Sequence, residues 1–145
     1  MRNHFLRASL VNAPGGEAYQ GYTFQVTTSS PNTTFNLRTT GTVNYDVDWD
    51  DGANESGVTL NVKPHVYAVA GTYTVVVSTA STFRFYANNS SPDDTLISAV
   101  LGQNEGFPWE TTFDRAWYGC SSLISFPLLN TSLGTDFSLA WYDCS

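Results

Sequence analysis

Short runs of alternating apolar and polar residues follow one another along the middle of the chain, at a spacing of roughly ten residues. Alternation with a period of two turns every second side chain toward the same face, which is typical of a half-buried β-strand. In the run at residues 72–79, for example, Tyr73, Val75 and Val77 share one face. Short strands at this regular spacing favour a β-sandwich. The runs predict six strands, at residues 24–28, 34–39, 43–50, 58–62, 72–79 and 82–87.

The run at residues 43–50 shows the alternation most clearly. Tyr45, Val47 and Trp49 alternate with aspartates, so we expect these three side chains to face the core and the carboxylates to lie on the opposite face. Asp51-Gly52 follows and is expected to end the strand in a turn. Gly tolerates a positive φ, and an Asp side chain can hydrogen-bond the backbone of its own turn.

The composition agrees with an all-β chain. Ser and Thr fill 33 of the 145 positions and Lys only one, so β-branched and turn residues dominate where helix formers would otherwise be expected. A mass of 15.9 kDa allows one domain, or one domain of ~100 residues with part of a second. The length therefore excludes a large multidomain enzyme.

The net charge of the chain limits the kind of molecule that it is expected to bind. Six Lys and Arg against 13 Asp and Glu give a net charge of −7, which repels a polyphosphate backbone, so we expect no nucleic-acid partner. We also expect no membrane insertion, because no apolar run reaches the ~18 to 20 residues of a membrane helix. Residues 1–23 mix Pro and Gly with few apolar residues and lack the apolar stretch of a secretory signal. We interpret them as an N-terminal arm or linker, in a chain that either is not exported by that route or has lost its leader.

The stretch VDWDDG and the later stretch HVYAVAGTYTVVVS resemble the PKD-type immunoglobulin-like domain. That family carries a Trp-containing strand that ends in Asp-Gly, followed by H-x-Y-x-x-x-G-x-Y-x-V, and both parts occur here in the same order. The family's turn usually reads Gly-Asp-Gly, where this chain has Asp50, Asp51 and Gly52. The resemblance covers residues 24–88 and implies a PKD-like β-sandwich over residues 24–90.

The last third of the chain contains an internal repeat. The nine residues FDRAWYGCS at 113–121 return as FSLAWYDCS at 137–145, with six of nine positions identical and an offset of 24 residues. This period lies in the range of leucine-rich-repeat solenoids, whose coils bury their apolar sides only by stacking on a neighbour. The side chains expected to point into the coil between the two copies are Leu123, Phe126 and either Leu128 or Leu129.

The repeated segment resembles the BspA-type leucine-rich repeat of bacterial and phage surface proteins. A PKD-like domain, an STFRFYANN strand and then AWYGCSSL repeats follow that family's usual order, so the resemblance extends over residues 24–145. It implies an all-β fold in which an immunoglobulin/PKD-like β-sandwich is followed, over residues 91–145, by the start of a leucine-rich-repeat-type solenoid. Because at least three coils are generally needed for stability, we expect a truncation or a partner that completes the stack. A coil end that exposes Phe137 and Trp141 would mark a contact site.

The sequence contains few groups suited to catalysis. A nucleophile needs a base such as histidine, and the chain has only His4, in the predicted arm, and His65. The position of His65 in the PKD-like pattern implies a hydrogen bond that holds the loop before the next strand. The sequence has no GxSxG, HExxH, P-loop or GxGxxG motif, so we expect no enzymatic activity.

An acidic cluster around the first turn is the best candidate for a metal site. Asp46, Asp48, Asp50 and Asp51, with Glu55, supply several of the carboxylates that Ca²⁺ prefers as ligands. Their spacing is not that of an EF-hand. Solvated strand-face acids and a turn-forming Asp explain the same residues without an ion, so both interpretations stay open. We expect no other cofactor.

Aromatic residues in and near the repeats are the candidate contact side chains. Such rings can stack on sugars or anchor a protein interface. In a solenoid they can instead form an internal ladder. The residues are Trp109, Trp117, Tyr118, Trp141 and Tyr142.

The two cysteines occupy equivalent positions in the two copies of the repeat. Coils that stack at about the strand spacing of ~4.8 Å would bring Cys120 and Cys144 within the Cα separation that a disulfide allows. Two buried, reduced thiols are the commoner arrangement in such a ladder, and we expect that state.

Together these observations favour a non-enzymatic surface protein of a tailed-phage virion, as a capsid decoration or a fibre component. The N-terminal arm would attach to other virion proteins of the capsid or tail, and a homo-oligomer would project from the virion surface and bind host-cell glycan or protein. The missing secretory signal favours this hypothesis, because a virion protein assembles inside the host cell. The alternatives are a fragment of a secreted adhesin on the bacterial cell surface and a carbohydrate-binding accessory module.

Overall fold

The computed structural model describes residues 21–87 and 92–144. Most of the predicted N-terminal arm, with His4, lies outside these residues. Within them the chain forms strands and one turn of 3-10 helix, without an α-helix, which confirms the expectation of an all-β chain. No helix in this part of the chain has the length and apolar character to cross a bilayer. The strands are β1 (Tyr22–Thr28), β2 (Thr33–Arg38), β3 (Tyr45–Asp48), β4 (Asn54–Val58), β5 (Val62–Tyr67), β6 (Gly71–Ser78) and β7 (Ile97–Gly102), and the 3-10 turn spans Asp94–Leu96.

The strands form two antiparallel sheets. Five strands build the larger sheet in the order β4-β3-β6-β1-β7, and β2 pairs with β5 in the smaller sheet. Phe24 of β1 is the register partner of Val75 on β6 and of Val100 on β7. Its ring also meets the ring of Phe35, on the smaller sheet, at 6.1 Å between centroids. The apolar faces of the two sheets therefore pack together, an arrangement consistent with a β-sandwich.

Alternation along the strands decides which side chains enter this core. Burying a large apolar side chain stabilises the fold by about 1.5–3 kcal/mol. Tyr73 is only partly buried, and its ring stacks on Tyr67 with 4.0 Å between centroids. The residues that the alternation predicted to be buried, and that are at most 2% exposed, are Tyr45, Val47, Trp49, Val75 and Val77.

The prediction of a strand at residues 58–62 is wrong. These residues connect β4, which ends at Val58, to β5, which begins at Val62. The pattern did not reveal β5 because Pro64 lies in its middle, and proline usually argues against a strand. The structure accommodates Pro64 because β5 is paired on one side only, with β2.

The segment predicted as a strand at residues 82–87 makes isolated bridges instead. Phe83 bridges to Trp109, and Phe85 bridges to Thr39. Both phenylalanine side chains are buried, at 1% and 2% exposure. The segment therefore joins the sheets to the region of the repeats without forming a continuous strand.

One hydrophobic core runs through both halves of the chain, so the boundary predicted at residue 90 does not separate two cores. β7 lies beyond that boundary but pairs with β1 in the larger sheet. The segment between the repeats lies beside β7 and is bonded to it, since the Ile124 N–H donates to the Ser98 carbonyl at 2.9 Å. Trp117 and Tyr22 belong to the same buried cluster, and the Trp117 indole N–H donates to the Tyr22 hydroxyl at 2.8 Å.

Candidate functional site

The four aspartates considered as calcium ligands lie around the turn between β3 and β4. Asp50 and Gly52 have positive φ values of 65° and 95° there, a conformation that Gly adopts freely and Asp tolerates. Each carboxylate accepts a hydrogen bond from a backbone N–H, so the aspartates act as turn-forming groups. The donors are Gly57 for Asp46 (2.8 Å), Asp50 for Asp48 (2.9 Å), Thr74 for Asp50 (2.9 Å) and Ala53 for Asp51 (3.0 Å).

The aspartates do not converge on a shared centre. Within residues 21–87 and 92–144, no three Asp, Glu, His or Cys side chains are grouped so that they could hold a metal ion. The backbone hydrogen bonds explain the geometry of the turn without an ion. The turn needs no bound ion to hold its shape, and calcium binding stays a prediction.

His65 lies on β5 and bonds to the same turn. Its Nε2 is 2.8 Å from Asp51 Oδ2, and its ring stacks on Trp49 with 4.5 Å between centroids and 5° between planes. The PKD-like pattern implied a hydrogen bond to the loop before β6. The partner is instead the β3–β4 turn, so His65 ties the smaller sheet to the larger one.

Glu55 on β4 makes a second connection between the sheets. Its carboxylate accepts a hydrogen bond from the Trp49 indole N–H at 3.1 Å and pairs with the Lys63 ammonium group at 2.5 Å. The hydrogen bond from Lys63 is the main cause that lowers the pKa of Glu55, against an opposing effect of burial. Because Lys63 lies on β5, this pair and the His65–Asp51 pair clamp the same end of the two sheets.

The two copies of the repeat stack on each other in register. We call residues 111–120 the first copy and residues 135–144 the second copy. Equivalent rings lie nearly parallel, with centroid separations of 5.0 Å for Phe113 and Phe137, 5.6 Å for Trp117 and Trp141, and 5.2 Å for Tyr118 and Tyr142. Backbone N–H groups of the first copy donate to carbonyls of the second, from Phe113 to Asp136 (2.7 Å), Arg115 to Ser138 (2.9 Å), Trp117 to Ala140 (2.9 Å) and Gly119 to Tyr142 (2.9 Å).

The copies also share one backbone conformation. Arg115 and Leu139, at equivalent positions, have φ values of 53° and 56°, and Gly119 and Asp143 have values of 74° and 60°. Positive φ is uncommon for residues other than Gly. Its recurrence at two equivalent positions shows that the turn geometry is repeated even where the side chains differ.

The candidate aromatic residues divide into a buried and an exposed set. Trp109 and Trp117 are 7% and 0% exposed, which removes them from the contact face that the sequence suggested. Phe113 and Trp117 of the first copy each contact a ring of the core, Trp109 and Phe85 respectively, and also a ring of the second copy. Trp141 and Tyr142 are not covered on both sides in this way and are 44% and 58% exposed, while Tyr118 is partly exposed beneath Tyr142.

The apolar residues between the copies divide in the same way. Of the two leucines that the pattern left open, Leu129 is buried and Leu128 is fully exposed. Phe126, which was expected to point into the coil, packs edge-on to the buried Trp117 and to Trp141, with 4.7 Å and 5.6 Å between centroids, and is 36% exposed. Ile124 is 89% exposed. The hydrophobic pattern could not separate these residues because all of them are apolar.

Four of the exposed side chains form what we call the open face: Ile124, Phe126, Trp141 and Tyr142. A shallow groove of about 270 Å³ runs between three of them. Trp141 and Tyr142 turn one side of each ring to the first copy and the other away from it. The remaining residues that line the groove are Leu123, Ser125 and Cys144.

A row of backbone donors accompanies the open face. The N–H groups of Phe113, Arg115, Trp117 and Gly119 bond the second copy. The equivalent N–H groups of the second copy make no hydrogen bond within the part of the chain that the structure describes. They belong to Phe137, Leu139, Trp141 and Asp143. Such donors must be satisfied by water or by a partner. Main-chain donors and exposed rings therefore lie on the same copy of the repeat.

Both cysteines are free thiols. Cys120 is fully buried, and burial raises its pKa. Cys144 is partly buried, its thiol lies 2.8 Å from the Trp117 carbonyl oxygen, and burial is the main cause that raises its pKa.

Comparison with known proteins assigns no family to the chain. No family model, curated protein or solved structure matches it. A function can therefore be inferred only from the contacts described above and from the sequence resemblance.

Proposed function

We propose that this chain is a non-enzymatic surface protein of a tailed-phage virion, a capsid decoration or a fibre component, and that it displays its β-structure for adhesion. The observation that carries the proposal is the open face, where Trp141 and Tyr142 are 44% and 58% exposed. Contiguous exposed apolar side chains usually mark a contact surface. The sequence resemblance to bacterial and phage surface proteins supports the location.

The proposal includes two finer assignments of the fold. We assign the sheets to a PKD-type sandwich and the repeat copies to the start of a BspA-type solenoid. The backbone at Asp50 supports the first assignment, because its φ of 65° suits the Gly that the family pattern has at this position. The stacking of equivalent rings at 5.0 to 5.6 Å supports the second.

The open face offers two kinds of interaction to a partner. The unpaired N–H groups of alternate residues can bond a chain segment that presents carbonyl oxygens at matching positions. The exposed rings of Trp141 and Tyr142 can stack on a further ring, which is worth about 0.5–1.5 kcal/mol beyond the area buried. A second subunit, another virion protein or a host-surface molecule could supply both, and the N-terminal arm would attach the chain to the capsid or tail.

The described residues support a structural role more than a catalytic one. His65 is engaged by Asp51 and stacked on Trp49. Cys120 is buried, and its raised pKa disfavours the thiolate that a nucleophile needs. The aspartates of the β3–β4 turn accept backbone hydrogen bonds, so none of these groups is prepared for acid–base chemistry.

Immunogold electron microscopy of purified particles, with antibodies raised against the full chain, tests this proposal. Labelling over the capsid would support a decoration protein, and labelling along the tail would support a fibre component. Unlabelled particles together with a labelled bacterial envelope would contradict the virion assignment and favour the surface adhesin.

A further inference from the structure

Cys120 and Cys144 are a fourth pair of equivalent residues in the stacked copies. The three aromatic pairs with the same offset lie 5.0, 5.6 and 5.2 Å apart. The hydrogen bond from the Gly119 N–H to the Tyr142 carbonyl, at 2.9 Å, keeps the copies in register next to the cysteines. A stack of this spacing is compatible with the Cα separation of about 4.4–6.8 Å found in disulfides.

The Cys144 thiol and the backbone N–H of Cys120 approach the same carbonyl group. The Cys144 sulfur lies 2.8 Å from the Trp117 carbonyl oxygen, which also accepts the Cys120 N–H at 3.3 Å. The Cys144 side chain therefore reaches across the stack toward Cys120 and does not point into solvent. The two groups also interact electrostatically, because Cys144 adds to the rise in the pKa of Cys120 that burial mainly causes.

We propose that Cys120 and Cys144 form a redox-active pair, which closes an intramolecular disulfide when the folded chain meets a low-molecular-weight disulfide such as oxidised glutathione. The chain has no other cysteine. The bond would tie the second copy, which carries the open face, covalently to the first. This inference depends on the stack alone and is independent of the virion assignment.

The exposure of the two thiols sets the order of the steps. Cys144 is partly exposed and Cys120 is buried, so the Cys144 thiolate attacks one sulfur of oxidised glutathione and releases one glutathione thiolate. The Cys120 thiolate then attacks the Cys144 sulfur of the mixed disulfide and releases the second. The chain loses two electrons and two protons, and one glutathione disulfide is reduced to two glutathione thiols. Because burial raises both thiol pKa values, the reaction should accelerate as the pH rises above neutrality.

The test is intact-mass analysis of the full chain after incubation with oxidised glutathione. The wild type should lose about 2 Da and retain no adduct, and peptide mapping should join Cys120 to Cys144. Cys120→Ser is the matched control, since it should stop at a glutathione adduct of about 305 Da on Cys144. Cys144→Ser should remain unmodified while it is folded, because its remaining thiol is buried.

Three outcomes would overturn the proposal. They are a wild-type chain that keeps glutathione on Cys144, a wild-type chain that forms disulfide-linked dimers, and a wild-type chain that stays reduced. The thermal midpoint shows whether the bond belongs to the native fold. A native bond should raise the midpoint by more than about 5 °C, whereas an unchanged or lower midpoint would also overturn the proposal, because it would show that only the unfolded chain had been oxidised.

Discussion

Tyr22 and Trp117 show how one hydrogen bond between two residues can connect distant parts of the chain. The two side chains are fully buried, and the 2.8 Å bond between them spans 95 residues of sequence. Burial raises the pKa of Tyr22, so its hydroxyl stays neutral over the ordinary pH range. Neither group can bond water in its place, so each depends on the other.

Removing the Tyr22 hydroxyl should therefore destabilise the chain. Tyr22→Phe leaves the Trp117 indole N–H buried without an acceptor, and we expect the free energy of unfolding to fall by about 1–3 kcal/mol in urea titrations. Tyr118→Phe, at a partly exposed ring, is the matched control and should change it by less than about 0.5 kcal/mol. Equal effects of the two variants would contradict the role of the buried bond.

A second prediction at the residue scale concerns pH. Because the Lys63 hydrogen bond lowers the pKa of Glu55 below its ordinary value of 4.5, the contribution of Glu55 is complete above that pH and is lost as the pH falls through the lowered value. The difference in unfolding free energy between wild type and Glu55→Gln should be constant from about pH 6 to 8 and shrink below about pH 4.5. Urea titrations across this range measure it, and a difference that persists unchanged at pH 3 would contradict the pairing.

At the scale of elements, the alternation of residues predicts β1, β2, β3 and β6 and misses β4, β5 and β7. Burial alternates along β2 and β3, along residues 24–28 of β1 and along residues 74–78 of β6, so the alternation was sufficient to find these strands. β7 has the sequence ISAVLG with adjacent residues buried. Because its buried residues do not follow a strict period of two, the alternation pattern could not predict this strand.

The repeats show that the sequence alone does not predict which of two equivalent side chains is exposed. Trp117 and Trp141 occupy identical positions in the two copies, yet one is buried and the other is 44% exposed. The residue type is the same at the two positions, but the exposure of each ring depends on whether other side chains pack against both of its sides. The repeat therefore predicted the candidate site, and only the structure could separate the buried rings from the exposed ones.

This asymmetry predicts unequal effects of one substitution at the two positions. Trp117→Ala removes a fully buried side chain and should cost about 3–5 kcal/mol of unfolding free energy. Trp141→Ala should cost less than half of that, because its ring already contacts water on one side. Urea unfolding of the two variants measures the difference, and equal losses would mean that the second copy is covered in solution.

At the scale of the whole molecule, the two pairs that connect the sheets, His65–Asp51 and Glu55–Lys63, lie on different elements from the open face. The contacts of His65 and Glu55 hold the two sheets together around the β3–β4 turn, whereas the open face is formed by the second copy and by the segment between the copies. Changes to the open face should therefore alter contacts with partners and leave the sheets intact. This separation makes the face testable without unfolding the chain.

Self-association is the first contact to examine, since a homo-oligomer is expected. We predict that the weight-average mass of the wild type rises with concentration in sedimentation equilibrium, and that Trp141→Ser reduces this rise because it removes an exposed ring. Val66→Ser is the matched control, as Val66 is 52% exposed on β5, away from the repeats. A wild type that is monomeric throughout, or an equal effect of Val66→Ser, would contradict an oligomer formed through the open face.

We propose that the chain is a component of a virion, and quantitative mass spectrometry of purified particles can decide whether it is. Peptides of this chain should be present at a fixed number of copies per particle, high for a capsid decoration and low for a fibre. Absence from particles, with the same peptides recovered from the bacterial envelope or the culture supernatant, would contradict it.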